Sequence, residues 1–180
     1  VNDHDPLATR QKLLDATVEL LFADGYARLS EPRLCEHVDL TRGALRHHFP
    51  QGKYDLLPAL VDQLFERTLA GVLKHGGNTP LQRFRLLLEY LQQAPECNLL
   101  VLLMELWIGS QNDPRLATAV LPRFQHWLPH LFTLMPGERL PPELLKLRFT
   151  LHGAILHLYG NNANPDDFAA AIALLLEDLQ

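Results

Sequence analysis

The chain has 180 residues, of which 47% are apolar and 21% charged; that balance excludes a disordered polyelectrolyte and suffices for a substantial core. Its formal net charge is −5, so any attraction to nucleic acid has to come from a local cluster rather than from the whole surface. Two cysteines, Cys35 and Cys97, are too few and too far apart for a disulfide framework or a zinc spacing, and read as buried thiols of a reducing compartment.

Apolar residues recur at helical spacing almost throughout, and no hairpin dipeptide separates alternating runs. The first predicted helix runs from Leu7 to Asp24, with Gly25 as its stop. A second runs from Ser30 to Val38, with Ser30 as N-cap and Pro32 tolerated in the first turn. A tight turn at Asp39–Leu40 leads to a third, short helix from Thr41 to His48 that stops at Phe49–Pro50. The fourth is long, from Tyr54 to Lys74, and His75-Gly76-Gly77-Asn78 breaks it. Thr79–Pro80 opens a helix to Ala94, and another spans Asn98 to Gln111. Asp113–Pro114 starts one that reaches Phe132, with Pro122 and Pro129 as candidate breaks. After a loop from Met135 to Pro142, helices cover Glu143 to Gly160 and Asp166 to Leu179, with a turn at Asn161 to Asn164. The expected architecture is all-α with about nine helices, divided into 1–53, a connecting helix 54–74, and 75–180. The acidic start, Asn2 to Asp5, carries no signal-peptide pattern. The longest apolar run, Leu99 to Ile108, is interrupted by Glu105 and is far short of the ~20 residues of a membrane span. A cytoplasmic protein without membrane contact is therefore expected.

The stretch from Ser30 to Leu57 has the grammar of a helix-turn-helix whose second helix could enter a DNA major groove. Between Leu40 and Lys53 there are Arg42, Arg46 and Lys53, His47 and His48, and no acid. Thr41 can cap the helix or reach a phosphate, and Arg42 has the fork that pairs with guanine. Gly43 lets the backbone approach a strand, while Arg46, His47, Lys53 and the capping Ser30 complete the candidate DNA contacts. One such motif makes too few contacts for a specific site, so two copies reading a palindromic operator are expected. Three cations per copy would neutralise about six phosphates and give a log–log salt slope of roughly −5.

The remaining candidates lie in the C-terminal helices. Met104, Trp107, Phe124, Trp127, Phe149 and Leu156, with Glu105 and His152 as polar handles, are the candidates for lining a mostly apolar ligand site. Leu151, Ile155, Phe168, Ile172, Leu175 and Leu176 form the stripes expected to join two copies. His126 and His130 stand at i, i+4 without a third ligand, so no metal is expected. No nucleophile–base pair, phosphate loop or carboxylate pair has a recognisable spacing, so neither an enzyme nor a cofactor is expected.

Three pieces together resemble one family. They are Thr9-Arg10-Gln11-Lys12-Leu13-Leu14-Asp15-Ala16, then Leu20-Leu21-Phe22-Ala23-Asp24-Gly25-Tyr26, then Leu40-Thr41-Arg42-Gly43-Ala44-Leu45-Arg46-His47-His48-Phe49-Pro50 with Gly52-Lys53 and Leu56-Leu57 after it. The stretch from Thr9 to Leu64 resembles the tetracycline-repressor (TetR) family of bacterial transcription regulators. Leu106-Trp107-Ile108 and Asp113-Pro114-Arg115-Leu116 resemble, more loosely, a stretch of that family's ligand-binding domains. Two positions depart from the pattern: Asp39 stands where the family usually has Gly, and Arg46 where it usually has Tyr. The resemblance implies a homodimeric repressor released from double-stranded DNA by a small-molecule effector. A helical small-molecule sensor that no longer binds DNA is the alternative.

Overall fold

A computed structural model describes residues 6–93, 98–135, 138–159 and 164–179. Cys97, the Pro136–Gly137 part of the predicted loop and most of the 161–164 turn lie outside them. Among the described residues there are nine α-helices and no strand. They are α1 (Pro6–Asp24), α2 (Glu31–Val38), α3 (Arg42–His48), α4 (Lys53–Lys74), α5 (Pro80–Gln93), α6 (Leu99–Ser110), α7 (Pro114–Leu131), α8 (Pro142–Tyr159) and α9 (Pro165–Glu177). A single 3₁₀ turn, Tyr26–Arg28, follows α1. α7 runs through both Pro122 and Pro129 without a break. None of these helices is long and apolar enough to cross a membrane.

The helices form two compact units, Val1–Gln63 with Glu105–Arg123, and Leu64–Met104 with Phe124–Gln180. These are units of packing. Three helices, α4, α6 and α7, each begin in one unit and end in the other.

In the first unit, α1, α2 and α3 pack on one another. Leu13, Leu14 and Leu21 of α1, Leu34 and Val38 of α2, and Leu45 of α3 are buried, as are Phe49 and the fully enclosed Leu56, Leu57 and Leu60 of α4. Cys35 belongs to this core, and burial pushes its thiol pKa up. α2 ends because Asp39 adopts the left-handed conformation (φ 53°, ψ 50°), in which the Asp39 and Leu40 N–H groups both reach back to the last turn. Asp is one of the few non-glycine residues that visit this region readily, so the turn forms without glycine. α3 starts at once, because the Thr41 hydroxyl accepts from the Ala44 N–H at 3.1 Å. Ser30, by contrast, flanks α2 with extended backbone and makes no side-chain cap.

In the second unit, α8 and α9 pack on α5. Phe84, Leu87, Leu88 and Leu91 of α5 are buried, and the Phe84 and Phe132 rings stack 4.8 Å apart. Arg83 is buried too. Its guanidinium donates to the carbonyls of Gly77 (2.8 Å), His130 and Leu131, placing a cation at the C-terminal end of α7.

Candidate nucleic-acid interface

α3 turns one face inward through Leu45 and leaves Thr41, Arg42, Gly43, Arg46 and His47 exposed. Within the protein nothing demands a glycine at 43. A Cβ there would meet only the Thr41 hydroxyl, at 3.6 Å, so its bare backbone faces outward. Among the described residues Arg42 makes no hydrogen bond or ion pair, and its charge is available. Thr41, Arg42, Gly43 and His47 are thus all open.

Arg46 is different. Its guanidinium grips both carboxylate oxygens of Glu31, with Nη2 at 2.9 Å from each, and donates to the Pro50 carbonyl at 2.8 Å. The absence of acids between 40 and 53 therefore overstates the local charge, because α2 supplies one from outside that window. The same carboxylate lies against Gly52, where φ is +64° and a Cβ would fall 1.8 Å from Glu31 Oε1. The positive φ favours glycine there, and a Cβ would also push the Glu31 carboxylate aside.

Lys53 is also engaged. Its ammonium lies 4.8 Å from the Tyr26 ring centre and 5.1 Å from that of Tyr54, and donates to the Tyr26 hydroxyl at 3.3 Å. It belongs to a junction that sequence reasoning missed. The Asp113 carboxylate accepts from the Tyr26 hydroxyl at 2.7 Å and from that of Tyr54 at 3.1 Å. Its other oxygen caps α7, accepting from the N–H groups of Arg115 and Leu116, each at 3.0 Å. The Tyr26 hydrogen bond foremost, then the Leu116 N–H, draws the Asp113 pKa down to about 2. Burial, reinforced by Asp113, raises both tyrosine hydroxyls above their ordinary value. The Arg115 guanidinium covers the Tyr54 ring at 4.1 Å. Behind Tyr26, Glu105 of α6 accepts from its backbone N–H, and Gly109 leaves room for its ring. The Asp113–Pro114 pair was visible as a helix start; the second use of the carboxylate, by tyrosines far away in sequence, was not.

The ligand candidates are divided between the two units. Glu105 is buried on Tyr26, with burial raising its pKa, and Trp107 stands 42% exposed; both are in the first unit. In the second unit Met104 is core, and Phe124 and Trp127 pack around the Phe65 ring. His152 is half-buried, with burial and then Arg148 lowering its pKa, while Phe149 and Leu156 are exposed. A cleft of ≈ 350 Å³ in that unit is lined by none of the eight. The stripes assigned to a dimer are likewise turned. Leu151, Ile155, Phe168 and Ile172 are at most 5% exposed within one protomer, on the two helices that pack against α5. Leu175 and Leu176 are partly exposed, and the open apolar groups are Phe149, Leu156, Tyr159 and Leu174. Helical periodicity identified the stripes but could not say which one α5 covers.

Residues 13–60 match the sequence profile of the bacterial regulatory proteins, tetR family. The match takes in the N-terminal helices α1 (from Leu13) to α3 and the start of α4. It is also similar to the HTH-type transcriptional repressor KstR of Rhodococcus jostii (strain RHA1), 32% identical over 85 residues that make up 47% of this chain and 40% of that repressor. Two solved structures share the fold over nearly the whole chain. Salmonella enterica GusR superposes with a TM-score of 0.65 at 19% identity, covering 99% of this chain and 98% of its own. The multidrug binding protein EbrR, complexed with imidazole, gives 0.64 at 22% identity, covering 96% and 91%. The TetR-family profile takes in α3, Glu31, Tyr26 and Tyr54, and leaves Glu105 and Asp113 outside it.

Proposed function

We propose that this protein is a homodimeric transcriptional repressor that holds a palindromic operator with α3 and releases it when a small molecule binds the C-terminal region. The open face of α3 carries the reading: a donor-bearing, unpartnered Arg42 beside an outward glycine backbone and the Thr41 cap. Arg42 is the base-reading candidate, and Thr41, Gly43 and His47 sit where sugar and phosphate would pass. Arg46 and Lys53 act mainly by positioning that surface, and Ser30 remains a candidate phosphate contact. In this division of roles residues 1–53 read DNA, 54–74 connect, and 75–180 sense and dimerise.

The exposed face of α8 and α9 supports dimerisation. Phe149, Leu156 and Tyr159 share one side of α8, and Ala170, Ala173 and Leu174 lie along α9, all open in the protomer. The Asp113 junction supports coupling, because it fastens α6 and α7 to the first turn of α4 and to the end of α1. EbrR's description as multidrug binding is consistent with an apolar effector here.

The deciding experiment is a selection from random DNA duplexes. Enrichment of a two-fold symmetric sequence, bound by a dimer and lost in Arg42→Ala, is the expected result. Recovery of no sequence above background would favour the reading as a ligand sensor without DNA binding.

A further inference from the structure

The ≈ 350 Å³ cleft of the second unit has a chemistry of its own. One wall is a face of α4 and the turn that ends it, where Arg67, Gly71 and, just past the helix, His75 follow each other at four-residue spacing. Gly71 opens this wall: no heavy atom lies within 4 Å of where its Cβ would stand. Buried Val72 and Leu87 give the cleft an apolar floor, and Tyr90 and Gln93 of α5 line it as well.

The polar groups on this lining are unequally engaged. Thr68 is satisfied by the Leu64 carbonyl at 2.8 Å. Glu89, the one carboxylate among the described lining residues, is held by Arg85 at 3.0 Å. His75 Nδ1 donates to the Gly71 carbonyl at 2.8 Å, which leaves Nε2 for a ligand. Among the described residues, Arg67, the Tyr90 hydroxyl and the Gln93 amide have no partner. Among the described lining residues the uncompensated charge is thus the guanidinium of Arg67. An apolar floor with a few unpartnered polar groups is the usual make-up of a small-molecule site, and the volume is at the small end of the ~300–1,000 Å³ range. A guanidinium prefers a planar oxyanion that it can meet with two parallel hydrogen bonds.

We propose that this cleft binds a small carboxylate with a compact apolar body. The carboxylate meets Arg67, and the body lies over Gly71 against Val72 and Leu87. This rests on the reading of the C-terminal region as the sensing domain, and it gives that domain a ligand class and a place.

The test uses the full chain and calorimetric titration with benzoate, naphthoate and octanoate, each beside its alcohol. At least one acid should bind about tenfold or more tightly than its alcohol, the worth of one charge-assisted hydrogen bond. Arg67→Gln should erase that preference and leave the alcohol's affinity unchanged. Gly71→Leu should abolish binding of acid and alcohol alike while the melting temperature holds or rises, since leucine is the better helix former. The proposal is overturned if no acid outbinds its alcohol, or if the preference survives Arg67→Gln. The same preparations are then assayed on the selected duplex. Duplex binding without acid preference sinks the cleft alone, and acid binding without any enriched duplex sinks the regulator reading alone.

Discussion

Arg42 and Arg46 are one turn apart on α3, both exposed and both cationic, yet of the two only Arg42 lacks a hydrogen-bond or ion-pair partner among the described residues. Replacing Arg42 by Ala is expected to cost about 1–3 kcal/mol of operator affinity and to relax preference at one base pair, measured by titrating operator variants. An equal loss on every sequence would make Arg42 a phosphate contact. For Arg46→Ala the expected change is in folding, about 1 kcal/mol or less in a urea melt. The pair with Glu31 is part-exposed, so water screens it, and base preference should stay unchanged. Both arginines were legible in the sequence as cations on a reading helix. What separates them was not, because Glu31 lies fifteen positions earlier and meets Arg46 only after α2 and α3 have packed. Asp39 and Thr41 were legible down to their roles, since a turn and a cap depend on backbone conformation within a few residues.

At the scale of elements, the Asp113 junction ties three helix ends with one side chain. Its pKa is drawn from 3.8 down to about 2 in the folded protein, so the stability it contributes is complete above the ordinary value. That contribution, on the order of 2 kcal/mol, is lost as pH falls from about 4 through about 2. Asp113→Asn should flatten this part of the acid-denaturation curve, read by chemical melts at a series of pH values. The last two helices give a contrast of faces. Leu174→Arg, at a position 64% exposed, should shift the sedimenting mass from dimer to monomer while helicity is retained. Ile172→Ala, at 1% exposure, should cost about 2–5 kcal/mol of folding stability. Helix positions were readable because apolar spacing and caps are local. The face that each helix gives to its own core was not, since α8 and α9 carry apolar groups on both sides, and only α5 decides between them.

For the whole molecule, charge would set how the proposed operator is held. A chain of net charge −5 relies on few cations, and the structure reduces them further. Arg46 is neutralised by Glu31, and Lys53 is held over two tyrosine rings with Asp113 close by. A dimer with one unpaired arginine per reading head should show a log–log salt slope nearer −2 than the −5 of three free cations each. Glu31→Gln should steepen the slope by about 2, one phosphate per head, in anisotropy titrations against salt. A wild-type slope of about −5 would mean that both cations leave their partners on binding DNA.

Gly52 lies outside α3, yet its positive φ disfavours any other residue, and a Cβ there would displace the Glu31 carboxylate that Arg46 grips. In a genetic screen for lost repression, substitutions at 52 would score with those at Arg42, and the two could be confused. They would separate by dose: excess operator would rescue an Arg42 variant but not a Gly52 variant, whose reading head is no longer assembled.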